Sequence, residues 1–324
     1  MYLPSLVLGL LGFGLTASTS PIEERSNRSK APAGCLTVGS SGTYATIGAA
    51  LSALGSSTSD ACIFIGAGTY QEQITIDYKG KLTMYGETTD TSSYKQNLVT
   101  ITHSISSPEA GSLDKSATVN VRSDGFKMYN INVINGYGKG AQAVTLVANA
   151  DKLGFYGCSF VGYQDTLYAK AGRQYYSNCY IEGAVDYIFG DASAWFGECD
   201  LVSVGPGYIT AMSRTTADET TWYAIDHCNI YGKPGVDLTS AVYLGRPWRV
   251  LARVIFQNSQ LSNIINPKGW SPMATGATPL YYEYNNKGAG ADTSKREYES
   301  PISGAVSIAT VLGGGWNSWV DTTY

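Results

Sequence analysis

The chain has 324 residues, with 22 Lys and Arg against 26 Asp and Glu, 15% charged residues, 37 glycines and 24 tyrosines. That length holds a large core in a single domain. The net charge of −4 and the absence of a Lys/Arg-rich patch argue against nucleic acid as a partner. An anionic polymer would have to be held by local groups rather than by bulk charge.

The first elements in chain order concern targeting. Residues 1–18 are largely apolar and end on Thr16, Ala17 and Ser18, the pattern of a secretory signal peptide, and no later apolar run is long enough to span a bilayer. The expected localisation is therefore secreted and extracellular, with no membrane partner. Residues 19–30 are polar and read as a short tail or pro-segment. The sequon Asn27-Arg28-Ser29 falls in it, so a glycan there would be lost on processing. A chain cut after residue 30 keeps 19 basic and 24 acidic residues. Residues 31–324 are expected to form one domain.

In that domain YATIGAALSAL (44–54) is the best helix candidate, expected to cap one open end of the fold. Strand-like runs follow: IFIGAGTYQEQITI (63–76), LTMY (82–85), LVTIT (98–102) and VTLV (144–147). A six-residue unit then recurs as MYNINV (128–133), FYGCSF (155–160), YSNCYI (176–181), FGECDL (196–201), IDHCNI (225–230) and FQNSQL (256–261). Unit starts lie 27, 21, 20, 29 and 31 residues apart, which fits a coil of about 20 residues with loop insertions of variable length. Alternation within the unit has strand periodicity. The predicted fold is all-β, a right-handed parallel β-helix with a short amino-terminal capping helix. A β-sandwich is the alternative, disfavoured because the internal register of the unit repeats so closely.

Six cysteines in a secreted chain suggest disulfides. Cys35–Cys62 is the natural outer pair. Cys158, Cys179, Cys199 and Cys228 share one position of the repeat and should stack as an inward ladder. Pairing 158–179 with 199–228, or 179–199 alone, remains open on spacing. No CxxC spacing points to a metal.

Asp165 in GYQDTLY (162–168) and Asp186 in GAVDYIFG (183–190) are 21 residues apart, and each stands seven residues after a ladder cysteine. Equivalent positions on neighbouring coils lie about 4.8 Å apart. Two carboxyl groups that close separate their pKa values, leaving one ionised and the other a proton donor. Gln164 adjoins the first aspartate and Gln142 lies one coil earlier; their amides can donate to a developing oxyanion. Arg246 in LGRPW (244–248) can hold a carboxylate bidentately and keep it charged. The two histidines, His103 and His227, read as ordinary solenoid residues, and without a GxSxG elbow a Ser-His-Asp hydrolase is disfavoured.

Taken together, GYQDTLY, GAVDYIFG, LGRPW, QAVTL (142–146) and GTYATIGAAL (42–51) resemble the segments of the pectin methylesterases, or pectinesterases, of carbohydrate esterase family 8, closest to the fungal secreted branch. The resemblance covers roughly residues 35–324. It implies a pectin-lyase-like β-helix that removes methyl groups from methyl-esterified homogalacturonan (pectin) and releases methanol. It assigns Asp186 as nucleophile, Asp165 as general acid and base, Gln142 and Gln164 as oxyanion donors, and Arg246 as the partner of Asp186. It also implies that Tyr168, Phe189 and Trp248 line the substrate cleft, with Trp270 and Met273 as a further wall. No metal or other cofactor is required, and a monomer is expected. A pectin or pectate lyase or polygalacturonase-like enzyme on the same fold is the alternative, followed by a non-catalytic carbohydrate-binding solenoid.

Overall fold

The computed structural model describes residues 26–324, so the expected signal peptide at 1–18 and most of the 19–30 tail lie outside the described residues. The chain winds into a parallel β-helix. One sheet of ten strands runs from Leu36–Val38 to Leu280–Tyr284. A second sheet of thirteen strands bends to form the two other faces of the coil: Tyr180–Gly190 and Asp200–Met212 each run through both parts. Their first halves pair with Ser159–Val161 and Asn229–Gly232, their second halves with Leu167–Ala171 and Val242–Gly245. These pairings are parallel, which removes the β-sandwich alternative.

The six-residue unit explains how the coils stack. Its first residues, Met128, Phe155, Tyr176, Phe196, Ile225 and Phe256, are paired in register along the ten-stranded sheet. The rings stack face to face, Phe155 on Tyr176 at 4.8 Å and Tyr176 on Phe196 at 4.6 Å. The sixth residues, Val133, Phe160, Ile181, Leu201, Ile230 and Leu261, form a second buried ladder. Between them the third residue makes the corner. Asn130, Gly157, Asn178, Glu198, His227 and Asn258 all have φ between 51° and 55°. A non-glycine residue there costs about 1–2 kcal/mol, least for asparagine. Each corner N–H donates to the carbonyl of the second residue of the next unit, from Asn130 to Tyr156 through Asn258 to Tyr284. His227 is thereby accounted for as an exposed corner residue beside Asp226.

The fourth position carries the cysteine ladder, and here one expectation is corrected. Cys35–Cys62 is a disulfide, but Cys158, Cys179, Cys199 and Cys228 are free and buried. Each thiol contacts a carbonyl one coil back, Cys158 at Met128, Cys179 at Phe155, Cys199 at Tyr176 and Cys228 at Phe196. The sulfurs fill the core as small apolar groups with a weak donor, the usual role of a buried free cysteine.

The expected helix is Ile47–Leu54, capped by Thr46, whose hydroxyl accepts from the Ala49 N–H. It buries Ile47 and Ala50 over the first coil, and the Glu72 carboxylate accepts from its first two N–H groups. The run 63–76 is not one strand but parts of three, Ala61–Ile65, Gly68–Gln71 and Ile74–Ile76, one for each face. At the amino end, residues 26–30 do not hang free as a polar tail would. Arg28 exchanges backbone hydrogen bonds with Thr88, and its guanidinium reaches the Gly86 carbonyl and Asn130 Oδ1, while Asn27 and Ser29 stay exposed.

The thiol ladder is directly testable. Alkylation without reductant should leave the folded protein unlabelled at these positions and add four labels in denaturant, whereas two ladder disulfides would give none by mass spectrometry.

Candidate active site

The last of the three faces carries the predicted site. Leu167 pairs with Ile188 and Tyr168 with Phe189, so Asp165 and Asp186 occupy one rung, joined by a hydrogen bond from the Asp165 N–H to the Val185 carbonyl. Both aspartates have left-handed backbones, φ 65° and 51°. Such strain persists only where surroundings over-determine the conformation. The tight packing includes Gly183, where a Cβ would lie 2.3 Å from Tyr187 Cβ.

Both carboxyl groups are nearly buried, Asp165 at 3% and Asp186 at 7% exposure. Arg246 meets Asp186 bidentately, Nε to Oδ1 at 2.8 Å and Nη2 to Oδ2 at 2.7 Å. It is placed there by Val242–Gly245, which pairs with Gly207–Thr210, and by its own N–H to the Thr210 carbonyl. Gly245 allows the approach: a Cβ would come within 2.0 Å of Thr210 Oγ1. Beneath the guanidinium lies the ring of Tyr208, 3.9 Å from its centre, itself stacked on Tyr243. Stacking of this kind adds to the fixed fork of an arginine. Tyr208 was not singled out from sequence, since nothing in its spacing distinguishes it from the other tyrosines.

Electrostatics separate the two acids. Burial raises the Asp186 carboxyl; hydrogen bonding and charge from Arg246 offset this, and the balance stays above the ordinary aspartate value. For Asp165 burial acts together with the Asp186 charge, and its pKa rises to about 8 despite donation from the Gln142 side chain and the more distant Arg246 charge. The pair therefore presents an arginine-bound carboxylate beside a carboxylic acid that keeps its proton through neutral pH. The Gln142 side chain is exposed above Asp165, and Gln164, half-buried, follows one coil later, its carbonyl accepting from the Ala143 N–H.

Aromatic rings form the adjoining floor. Tyr168 stacks on Phe189 at 4.3 Å, and Trp248 leans on both at 6.3 and 5.9 Å. Phe189 is 2% exposed because the half-buried Tyr168 and Trp248 cover it. Ala211 follows Phe189 on the next rung and belongs to the same cluster. Trp270 departs from the expected wall. It is fully buried, stacked on Tyr281 at 4.0 Å, with its indole N–H donating to Glu283. Its ring supports Gly245 from inside the core and presents no face to a cleft. Met273 is 44% exposed on a segment hydrogen-bonded to Gly245 and Pro247.

Known proteins share this architecture. The family model described as Pectinesterase matches residues 35–305. The chain belongs to the pectinesterase family. The probable pectinesterase A of Neosartorya fischeri is 90% identical over the full length of both chains, and pectinesterase A of Emericella nidulans is 70% identical over 98% of each. The solved pectin methylesterase of Aspergillus niger superposes with a TM-score of 0.92 at 74% identity, covering 92% of this chain and 100% of that one. The carrot pectin methylesterase gives 0.82 at 31% identity over 89% and 97%. The protein is thus a pectinesterase on a parallel β-helix, with pectin as its substrate class.

The two tryptophans differ in burial, Trp270 fully buried and Trp248 half-buried. Trp270→Ala should lower unfolding stability by about 3–5 kcal/mol, read by thermal or denaturant melting. Trp248→Ala, which removes a half-buried ring over Phe189, should lower the melting point less than Trp270→Ala and reduce turnover on pectin.

Proposed function

We propose that hydrolysis of the methyl ester proceeds through a covalent aspartyl intermediate. The observation that supports this most is the bidentate Arg246–Asp186 pair beside a carboxyl that keeps its proton, two similar residues prepared for different tasks. An Oδ of Asp186 attacks the C6 carbonyl of a methyl-esterified galacturonate. Gln142 and Gln164 donate to the oxyanion of the tetrahedral intermediate. The C–OCH3 bond breaks as Asp165 passes its proton to the departing methoxide, giving methanol and an acyl-enzyme. Asp165, now a carboxylate, takes a proton from water as the water oxygen attacks the same carbonyl. Asp186 leaves as a carboxylate, Asp165 keeps the proton taken from water, and the product carboxyl is released as the acid, losing its proton to solvent to become galacturonate. Splitting one displacement into two steps is the advantage of covalent catalysis. Tyr168 and Trp248 offer flat faces to the sugar rings, with Phe189 as their support and Met273 at the margin.

The same reading takes residues 1–18 as a signal peptide, 31–324 as one catalytic domain, and the working enzyme as a secreted monomer. A lyase or glycosidase on this fold would break the polymer backbone, so product analysis separates the classes.

Wild type should release methanol from highly methylated pectin at unchanged chain length. Asp186→Asn should lose on the order of 10⁴-fold or more in kcat, and Gln142→Ala about 10²–10³-fold; falling chain length without methanol would exclude the esterase mechanism. The pH profile follows from the two acids. Asp165 must be protonated to start the cycle, so kcat/KM should fall as pH rises through about 8. On the acid side it should fall as Asp186 takes up a proton, above the ordinary aspartate range. Asp165→Asn should abolish the alkaline limb along with most of the activity.

A further inference from the structure

Arg246 stands close to one end of the solenoid, where a stack held by nearest neighbours is weakest. Val242–Gly245 is paired on one side with Gly207–Thr210 and on the other with residues 265–271, through the bridges Val242–Ile265 and Gly245–Trp270. Among the described residues no further strand of this face follows. A buried ion pair closes the end instead. The Glu283 and Arg296 side chains are each 2% exposed and meet at 2.7 Å from Nε to Oε1 and 3.0 Å from Nη2 to Oε2. The same guanidinium donates to the carbonyls of Asn266, Pro267 and Gly290. Glu283 also accepts the Trp270 indole N–H at 3.2 Å, so the pair fixes the ring that lies under Gly245. Both glycines of this rung are filled by it: a Cβ at Gly245 would lie 3.2 Å from the Trp270 ring, and one at Gly269 only 2.3 Å from Arg296 Cδ. Tyr281 completes the layer, stacked on Trp270 at 4.0 Å. Its phenol is raised first by burial and then by the charge of Asp186, so this layer lies within electrostatic reach of the catalytic pair.

We infer that Glu283 and Arg296 are positioning residues for Arg246, holding through Trp270 and Gly245 the rung from which its guanidinium reaches Asp186. This role rests on the mechanism proposed above. A buried ion pair adds little stability over well-packed apolar residues of the same volume. What it supplies here is direction, because one carboxylate fixes both an arginine fork and an indole N–H. Arg246 follows Gly245 directly, and its N–H is held from the opposite side by the Thr210 carbonyl. A displaced 265–271 rung therefore moves the root of the Arg246 side chain, and a misplacement of about 1 Å can cost on the order of 10²-fold in rate. The charged and titratable groups facing Asp186 are Arg246, Asp165 and, at longer range, Tyr281. Arg246 faces Asp186, Asp165 and Tyr208, and the half-buried Glu299 is the other acid beside the Glu283–Arg296 pair. Arg246 alone among these favours the charged form of Asp186, so its loosening is read directly in that acid.

The test is the pH dependence of kcat/KM for methanol release from methylated pectin, in wild type, Glu283→Gln and Trp270→Phe. Glu283→Gln keeps the side chain's size and an acceptor for the indole but removes the charge that holds Arg296. Trp270→Phe keeps a stacked ring and the ion pair, and removes only the N–H between them. Arg246 lowers the pKa of Asp186, so loosening it raises that pKa and moves the acid limb to higher pH. The midpoint of that limb should rise by about 0.5–1 unit in Glu283→Gln, which is about 3- to 10-fold in proton affinity. Trp270→Phe should shift it the same way by less. A midpoint does not depend on the fraction of protein that is folded, and circular dichroism over the same pH range checks that both variants stay folded. A lowered melting point with the wild-type midpoint in both variants would overturn the inference and leave the ion pair a plain end cap. If Glu283→Gln does not fold, Trp270→Phe decides by itself. Turnover retained in Asp186→Asn would instead overturn the mechanism, so the two failures are distinguishable.

Discussion

Six successive coils of this protein turn at a residue whose backbone is left-handed, and each corner N–H meets a carbonyl on the coil ahead. That paired demand fixes the register of these coils. Once Asn130, Gly157, Asn178, Glu198, His227 and Asn258 are aligned, the apolar residues on either side can only stack on their counterparts. Insertions between units lengthen loops without disturbing the ladders, which is why unit spacing varies while internal pattern does not.

The chemistry inherits this constraint. Asp165 and Asp186 share a rung because their units share a corner and the strands that follow them pair in register. Burial by itself would protonate both acids; one arginine, held by a tyrosine ring and a glycine-sized gap, makes them unequal. The electrostatic asymmetry therefore comes from a third coil and beyond, through Tyr208, Tyr243 and Gly245, rather than from the aspartates' own segments.

Much of this was readable in the residues. The six-residue unit announced a solenoid because its buried positions have the period of a strand and its repeats the length of a coil. The site segments stood out through their resemblance to the pectinesterase segments, since polar ladders at coil spacing also decorate solenoids without any catalytic role. What stayed hidden was side-chain direction at bends. Trp270 lies one turn beyond LGRPW, and only the packing of Tyr281 and Gly245 decides that its ring points inward. The cysteine ladder posed a similar problem: coil spacing permits disulfides, but each thiol is directed at a carbonyl of the preceding coil. Tyr208 was invisible because a cation-π contact leaves no spacing signature. The sequon segment likewise gave no sign that Arg28 would be held by three separate carbonyl and amide oxygens.

A stack of coils bound only to nearest neighbours is expected to fray from its ends. Here the ends are clasped. The side chain of Asn130 accepts from both Arg28 and the Tyr324 hydroxyl, while Asp321 reaches Tyr129 and Tyr156, and Trp319 and Val320 pack on Trp195, Ala224 and Ile255. The carboxyl-terminal strap thus runs back across several coils and meets the amino-terminal segment on the same corner. Peeling either end off would break contacts to coils far along the axis, so the solenoid has the topology of a closed loop and should melt as one cooperative unit.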